Sequence, residues 1–257
     1  MNLDIENGLF IICGATSGFG LSITRALLAE KARVIAIART KENLEAMATR
    51  QGNQFEVLAT DITQSSSIGR LEQIIGSRKI DGIVMNASGP PAKTFMETTL
   101  EDWDTAYHQL LRWKIELTMR LLPLFQKDGY GRFVFIESAT IKQPIENLIL
   151  SSAFRLSVAG FVKTISREIP EKGITFNILA PGFHTTPAME RLIIKKCNDL
   201  GISRAAAKKE LEKNIPMGKP GDPDMFASLA LWLLSPFSAY VTGQVFVADG
   251  GMISAVL

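Results

Sequence analysis

Residues 9–30 read LFIICGATSGFGLSITRALLAE: five apolar residues, a turn carrying Gly14, Gly18 and Gly20, then a helical pattern. A strand that turns through glycines straight into a helix brings backbone close to a phosphate. The phosphate then rests on the positive end of that helix. The spacing is G-x-x-x-G-x-G instead of the commoner G-x-G-x-x-G, so the turn alone is weak evidence and a structural turn is its plain alternative. Its context gives it weight. Near-continuous apolar runs recur at 33–38, 55–59, 80–86, 132–138, 174–180 and 244–248. Helical patterns lie between them at 18–30, 41–50, 64–76, 101–126, 151–169 and 223–235. Runs without strict alternation suit strands covered by helices on both faces. Parallel strands in turn need crossover helices. The pattern predicts one α/β domain over residues 1–257, a doubly wound Rossmann-type sandwich with a seven-stranded parallel sheet.

A chain of 257 residues is long enough for one large core. Two boundaries have predicted local causes: Asp61 to Thr63 cap the helix after the third strand, and Pro170 helps to stop the helix after residue 151. Residues 187–222 break the rhythm, carry an excess of Lys and Arg, and end in Pro and Gly. They read as a helical lid over the site, within the same domain.

A net charge of +2 argues against a nucleic-acid binder, which concentrates a basic footprint. The start, MNLDIENG, lacks a basic region followed by an apolar stretch, and runs such as LLPLF at 121–125 are too short for a membrane span. Cys13, in an apolar segment, reads as a buried thiol, and with Cys197 as its only companion no disulfide framework is expected. These features predict a soluble cytoplasmic protein. The two histidines and two cysteines show no metal-ligand spacing.

The turn residues Gly14, Thr16, Ser17, Gly18, Phe19 and Gly20 form the expected cradle for a dinucleotide. The second strand ends in Ala38 and Arg39, where a carboxylate would bind an unmodified ribose and an arginine pairs better with a 2′-phosphate. Arg39 therefore favours NADP(H) over NAD(H), with a solvated strand-end arginine as the alternative. Asp61, beside Ile62, is placed to reach the adenine amine or to cap the next helix.

With these motifs in view, the chain resembles the short-chain dehydrogenase/reductase family, at classical length, from Gly14 to Gly251. Asn86, Ala87, Ser88 and Gly89 resemble the family's Asn-Asn-Ala-Gly segment, with Met85 in place of its first Asn. The resemblance implies that Asn86 supports the sheet and lines the cofactor. The loop PGFHTTP at 181–187 resembles the family's nicotinamide-carboxamide loop, so Pro181, Gly182, His184, Thr185 and Thr186 are expected at the cofactor. TGQVFVADGG at 242–251 resembles the family's last strand, which often lies at a dimer interface. A homodimer or homotetramer is the implied assembly.

The catalytic positions depart from the family. Its serine corresponds to Ser138, but the tyrosine thirteen residues on falls at Ser151, and the lysine four further on at Arg155. The assisting asparagine falls on Leu110, and residues four beyond Tyr107, Tyr130 and Tyr240 are Leu111, Val134 and Gln244, so no shift restores the pair. An alkyl hydroxyl is a poor substitute for a phenol tuned by a neighbouring cation, and an arginine hardly releases a proton. Ser151 and Arg155 nevertheless share a helix face one turn apart. With Ser138 they form the expected catalytic constellation, polarising a carbonyl or binding a carboxylate, and Arg155 also reaches ribose hydroxyls. His184 is a candidate acid or base, or a loop histidine against cofactor or solvent. His108 is a weaker candidate. Strand alternation points Glu137 away from Ser138's side, which makes Lys142 the better candidate for substrate contact. Gly89-Pro90-Pro91 together with Ser-x-x-x-Arg resembles a noncanonical branch of the family.

The leading expectation is an NADP(H)-dependent oxidoreductase with a modified proton relay, acting on a carbonyl, alcohol or conjugated alkene. A cofactor-binding protein without redox turnover, in a regulatory or assembly role, and a non-redox dehydratase or isomerase are the alternatives. The basic residues Lys195, Lys196, Lys208, Lys209 and Lys213 suit an acidic or carrier-bound small-molecule substrate, or form a solvated helix face.

Overall fold

A computed structural model describes residues 2–49, 52–169 and 173–256. Seven strands form a single parallel sheet: β1 (Leu9–Cys13), β2 (Arg33–Ala38), β3 (Phe55–Ala59), β4 (Gly82–Met85), β5 (Gly131–Ile136), β6 (Ile174–Pro181) and β7 (Val245–Ala248). Their order is β3-β2-β1-β4-β5-β6-β7, so the chain reverses direction across the sheet between β1 and β4. In such a sheet, ligands bind outside the carboxyl ends of the strands at that switch point.

The continuous apolar runs have the predicted cause. In β1, Leu9, Ile11 and Cys13 face one core, while Phe10 and Ile12 face the other. The first core packs against α3 (Ser65–Ile75), α5 (Trp113–Asp128) and α6 (Ile149–Glu168). The second packs against α1 (Gly18–Ala29) and α9 (Pro223–Leu234). With period-two side chains and both faces covered, neither set of positions tolerates polarity. Cys13 is fully buried, and burial pushes its thiol up to about 12. Short α2 (Lys41–Ala48) covers the outer strands.

The predicted helix over 101–126 is two helices. Between α4 (Leu100–Tyr107) and α5 lies one π-helical turn, His108–Arg112, with Leu110 buried at its centre. The Trp113 indole donates to the Gln109 carbonyl at 2.9 Å, giving a partner to a group of the distorted turn. The cap before α3 also differs from expectation. Asp61 Oδ1 accepts from the Thr63 amide and hydroxyl at 3.0 and 2.8 Å, closing a turn, while Gln64 takes the N-cap position without a side-chain bond. Pro170 lies outside the described residues.

Within 187–222, α7 (Pro187–Leu200) and α8 (Arg204–Glu212) are joined by a small apolar seam of Met189, Ile193, Ala207 and Leu211. Thr186 caps α7 and Pro187 opens it, the usual chemistry of a helix start. Among the described residues, no helix is long and apolar enough to cross a membrane.

Candidate active site

A cleft of about 670 Å³ opens at the carboxyl ends of β1, β4, β5 and β6, with α7 forming one wall. One end of the cleft is built by the glycine turn. Gly14 has φ +69°, and a Cβ there would lie 2.8 Å from Asn86 Nδ2. A Cβ on Gly20 would lie 2.1 Å from the Gly14 carbonyl oxygen, so only glycine lets the first turn of α1 cross this close. Ser17 is the N-cap of α1 but makes no side-chain cap bond. First-turn amides lack intrahelical partners, and here they face the cleft end with the positive pole of the helix. The turn therefore fits the pyrophosphate of a dinucleotide.

The cleft brings together most of the predicted residues: Gly14, Ser17, Gly18 and Phe19 from the turn, and Asn86, Ala87, Ser88 and Gly89 after β4. Ser138, Ser151, Arg155, Pro181, Gly182, His184 and Thr186 complete the set. Thr16, Gly20, Arg39, Asp61, Ile62 and Thr185 do not line it. Arg39 is exposed just beyond β2, and Asp61 follows β3, so both lie further along the same sheet edge. The Ile62 side chain is buried in the core, and Thr185 is exposed, its amide donating to Gly221 O at 2.9 Å. His108 and Lys142 are exposed and outside the cleft.

Beside the end of β5 the cleft is backed by a buried charge cluster. Ser138 follows β5 and caps a short 3₁₀ turn, its Oγ accepting from the Thr140 amide at 3.2 Å. On the second turn of α6, Arg155 Nε donates to Ser151 Oγ at 2.9 Å. Its Nη1 reaches Glu137 Oε2 at 3.1 Å and the Ile136 carbonyl at 3.3 Å. The other Glu137 oxygen is in direct ion-pair contact with Lys114 Nζ. Lys114 and Glu137 are both buried, so each charge depends on the other for compensation. Burial, and secondarily the Arg155 charge, holds the Lys114 ammonium below the ordinary lysine range against the pull of Glu137.

Lys114 and Glu137 were not expected as site residues, because alternation gives the face Glu137 takes but not the cations it meets there. Glu137 follows the pleat past the end of β5: its amide donates to Leu179 O at 2.8 Å, Val134 and Ile136 face the other core, and its side chain joins Phe133 and Phe135 on the α5/α6 side. It lines the cleft and binds Arg155. The available signal was a carboxylate directly after a fully buried strand, where an ionised group must find a partner.

His184 is a packing residue. Its ring meets Phe19 and Phe226 edge-on, with centroids at 5.0 and 5.3 Å, and Nδ1 lies 3.2 Å from Gly182 O. Burial depresses its pKa below the ordinary 6.5. The folded state thus favours neutral imidazole, and the unfolded chain takes up the proton first. Its contribution to stability is complete above 6.5 and is lost as pH falls toward the depressed folded value. His184→Phe is expected to show a shallower fall in Tm than wild type between about pH 7.5 and about pH 5 in scanning fluorimetry. Equal slopes would show that His184 carries no such linkage.

The basic residues of 187–222 are largely paired with acids beside them: Lys195 with Asp199, Lys208 with Glu212, Lys213 with Glu210 and Arg204 with Glu190. Of the five lysines singled out from the sequence, Lys195 lines this cleft.

Comparison with known proteins agrees with this fold over nearly the whole chain. Residues 14–253 match a family model described as enoyl-(acyl carrier protein) reductase. A 3-oxoacyl-(acyl-carrier-protein) reductase of Thermotoga maritima is 29% identical over 254 residues, covering 97% of this chain and 99% of the relative. The crystal structure of YwfH, an NADPH-dependent reductase involved in bacilysin biosynthesis, superposes with a TM-score of 0.90 at 25% identity, covering 98% of this chain and all of the other. A variant of actinorhodin polyketide ketoreductase with NADPH gives 0.90 at 28% identity, over 96% and 97% of the two chains. The parallel sheet, the glycine turn at its switch point and a family match running from Gly14 to Ile253 lead to one assignment: this chain belongs to the short-chain dehydrogenase/reductase family of oxidoreductases.

Proposed function

We propose that this chain is an NADP(H)-dependent oxidoreductase with a rebuilt catalytic centre, acting on a carbonyl, an alcohol or a conjugated alkene. The observation that carries this reading is the convergence of the glycine turn and the Ser138, Ser151 and Arg155 side chains on one cleft. Relatives of similar length and fold are NADPH-dependent reductases by name, or were solved with NADPH.

The turn from Gly14 to Gly20 holds the pyrophosphate, Asn86 to Gly89 and Pro181 to Thr186 flank the nicotinamide end, and Asp61 with Ile62 borders the adenine. When bound, the nicotinamide supplies or accepts a hydride. The chain's own residues must then manage charge on the substrate oxygen. Ser138 Oγ already accepts from Thr140, which leaves its proton for donation to that oxygen. Arg155 is a fixed cation at the cleft, and a preorganised cation stabilises developing negative charge without proton transfer. Ser151 supports Arg155 through Nε and keeps its own hydroxyl proton for the cleft. Among the described residues, no tyrosine lines the cleft. For an alkene conjugated to a carbonyl, negative charge develops on oxygen while the proton is needed at carbon. That reaction depends least on the missing phenol.

Residues 187–222 act in this reading as a lid, α7 excluding water from the reacting centre, and the molecule works as a homodimer or homotetramer. Titration with NADPH and NADH, followed by absorbance at ~340 nm against ketones, quinones and enones, tests the reading, because oxidation of the reduced cofactor is the event itself. Binding without oxidation on any of them would turn the assignment toward a non-redox role. Arg39→Ala should weaken NADPH by about tenfold to a hundredfold and leave NADH unchanged, as expected for loss of a charge-assisted phosphate contact. Equal effects on both nucleotides would remove Arg39 from the 2′-phosphate site.

A further inference from the structure

The cluster behind the cleft contains two cations and one carboxylate. Lys114 and Arg155 both contact Glu137, one on each oxygen. The Lys114 and Glu137 side chains are 1% and 0% exposed, so bulk water does little to screen them. Arg155 is itself only 8% exposed. Its Nε and Nη1 are occupied by Ser151, Ile136 O and Glu137. Its Nη2 has no hydrogen-bond partner among the described residues and lies beside Gly89, 3.3 Å from where a Cβ on that glycine would stand. A guanidinium presents a planar fork, and a free edge suits one more anionic oxygen. Buried charges are normally balanced. This cluster is one negative charge short, and its unfilled donor lies at the cleft wall.

We propose that the missing charge belongs to the ligand: the free edge of Arg155 is an anion site for an apolar small molecule bearing a carboxylate, and Lys114 is a positioning residue that raises its affinity without entering the cleft. This deepens the reading given under Proposed function and rests on its cleft being the substrate site. The body of such a ligand meets apolar walls from Pro90, Pro91, Ile145, Leu148, Phe183 and Leu192. Other charges at the cleft are weaker candidates for the anchor. Lys195 is held by Asp199 at 3.2 Å and Glu97 at 3.8 Å, Asp199 is itself acidic, and Arg191 is exposed and solvated.

The test compares cinnamate with its uncharged isostere cinnamamide by isothermal titration, with and without NADPH. Wild type should prefer the acid by about tenfold or more, the scale of one partly buried charge acting over several ångströms. Lys114→Gln leaves the Glu137–Arg155 pair neutral, and the preference should fall towards one while cinnamamide and NADPH bind as before. Adding Glu137→Gln restores one excess cation at Arg155, and the preference should return. Arg191→Gln should leave it in place. A merely structural Lys114 would weaken acid and amide alike, and that result overturns the proposal. Equal affinity of the two ligands in wild type overturns it too, whether or not the variants fold. The NADPH titration stands apart: loss of cofactor binding would count against the proposed function, whereas bound cofactor with no acid preference would count against the anion site alone.

Discussion

Arg155→Met is expected to lower kcat/KM by about 10²- to 10³-fold, the usual loss when one preorganised stabiliser of developing charge is removed. The fold should survive. Without the guanidinium, Lys114 and Glu137 remain as a one-to-one buried pair, so no charge is stranded. Methionine also fills much of the arginine's apolar stem. Arg155→Lys should recover only part of the activity, because an ammonium cannot bridge Ser151, Glu137 and the Ile136 carbonyl from one planar group. The check is steady-state kinetics beside an NADPH titration. A drop in turnover with cofactor affinity held within a few fold supports a role at the substrate oxygen. A parallel drop in both would assign Arg155 to cofactor binding.

The largest stability effect is expected at Glu137. Glu137→Leu should cost about 3–5 kcal/mol, the range for breaking a buried pair and leaving the partner charged. Here two cations are stranded, Lys114 and Arg155, with burial opposing the charge on Lys114. Lys114→Met should be much milder, since it leaves Glu137 paired with Arg155. Denaturant unfolding of the two variants decides the point. A cost for Lys114→Met equal to that for Glu137→Leu would mean that packing, and not charge balance, governs this part of the core.

The fold was legible because its causes are local or periodic. β1, β2 and β4 are fully apolar apart from Arg33 and Gly82, as strands with two covered faces must be. Gly14 and Gly20 announce the turn because a side chain at either would meet backbone or Asn86. Ser151 and Arg155 were legible as a pair because one helical turn separates them.

The doubly wound sheet, the position of the glycine turn and the helix face that carries Ser151 and Arg155 are written in the local order of residues. All three follow from spacings of a few residues, which the backbone geometry of strand, turn and helix converts directly into placement. What Arg155 binds depends instead on packing between distant elements. Glu137 lies 18 residues before Arg155, and Lys114 another 23 before Glu137, on elements that meet only once the sheet has assembled. The π-helical turn His108–Arg112 matters here as well. One extra residue in a helix rotates everything after it by about 100°. No local pattern marks that rotation, so the lysine's approach to Glu137 could not be read from helical spacing. A buried charge is compensated by whichever partner the packing delivers, and that partner is a property of the whole fold.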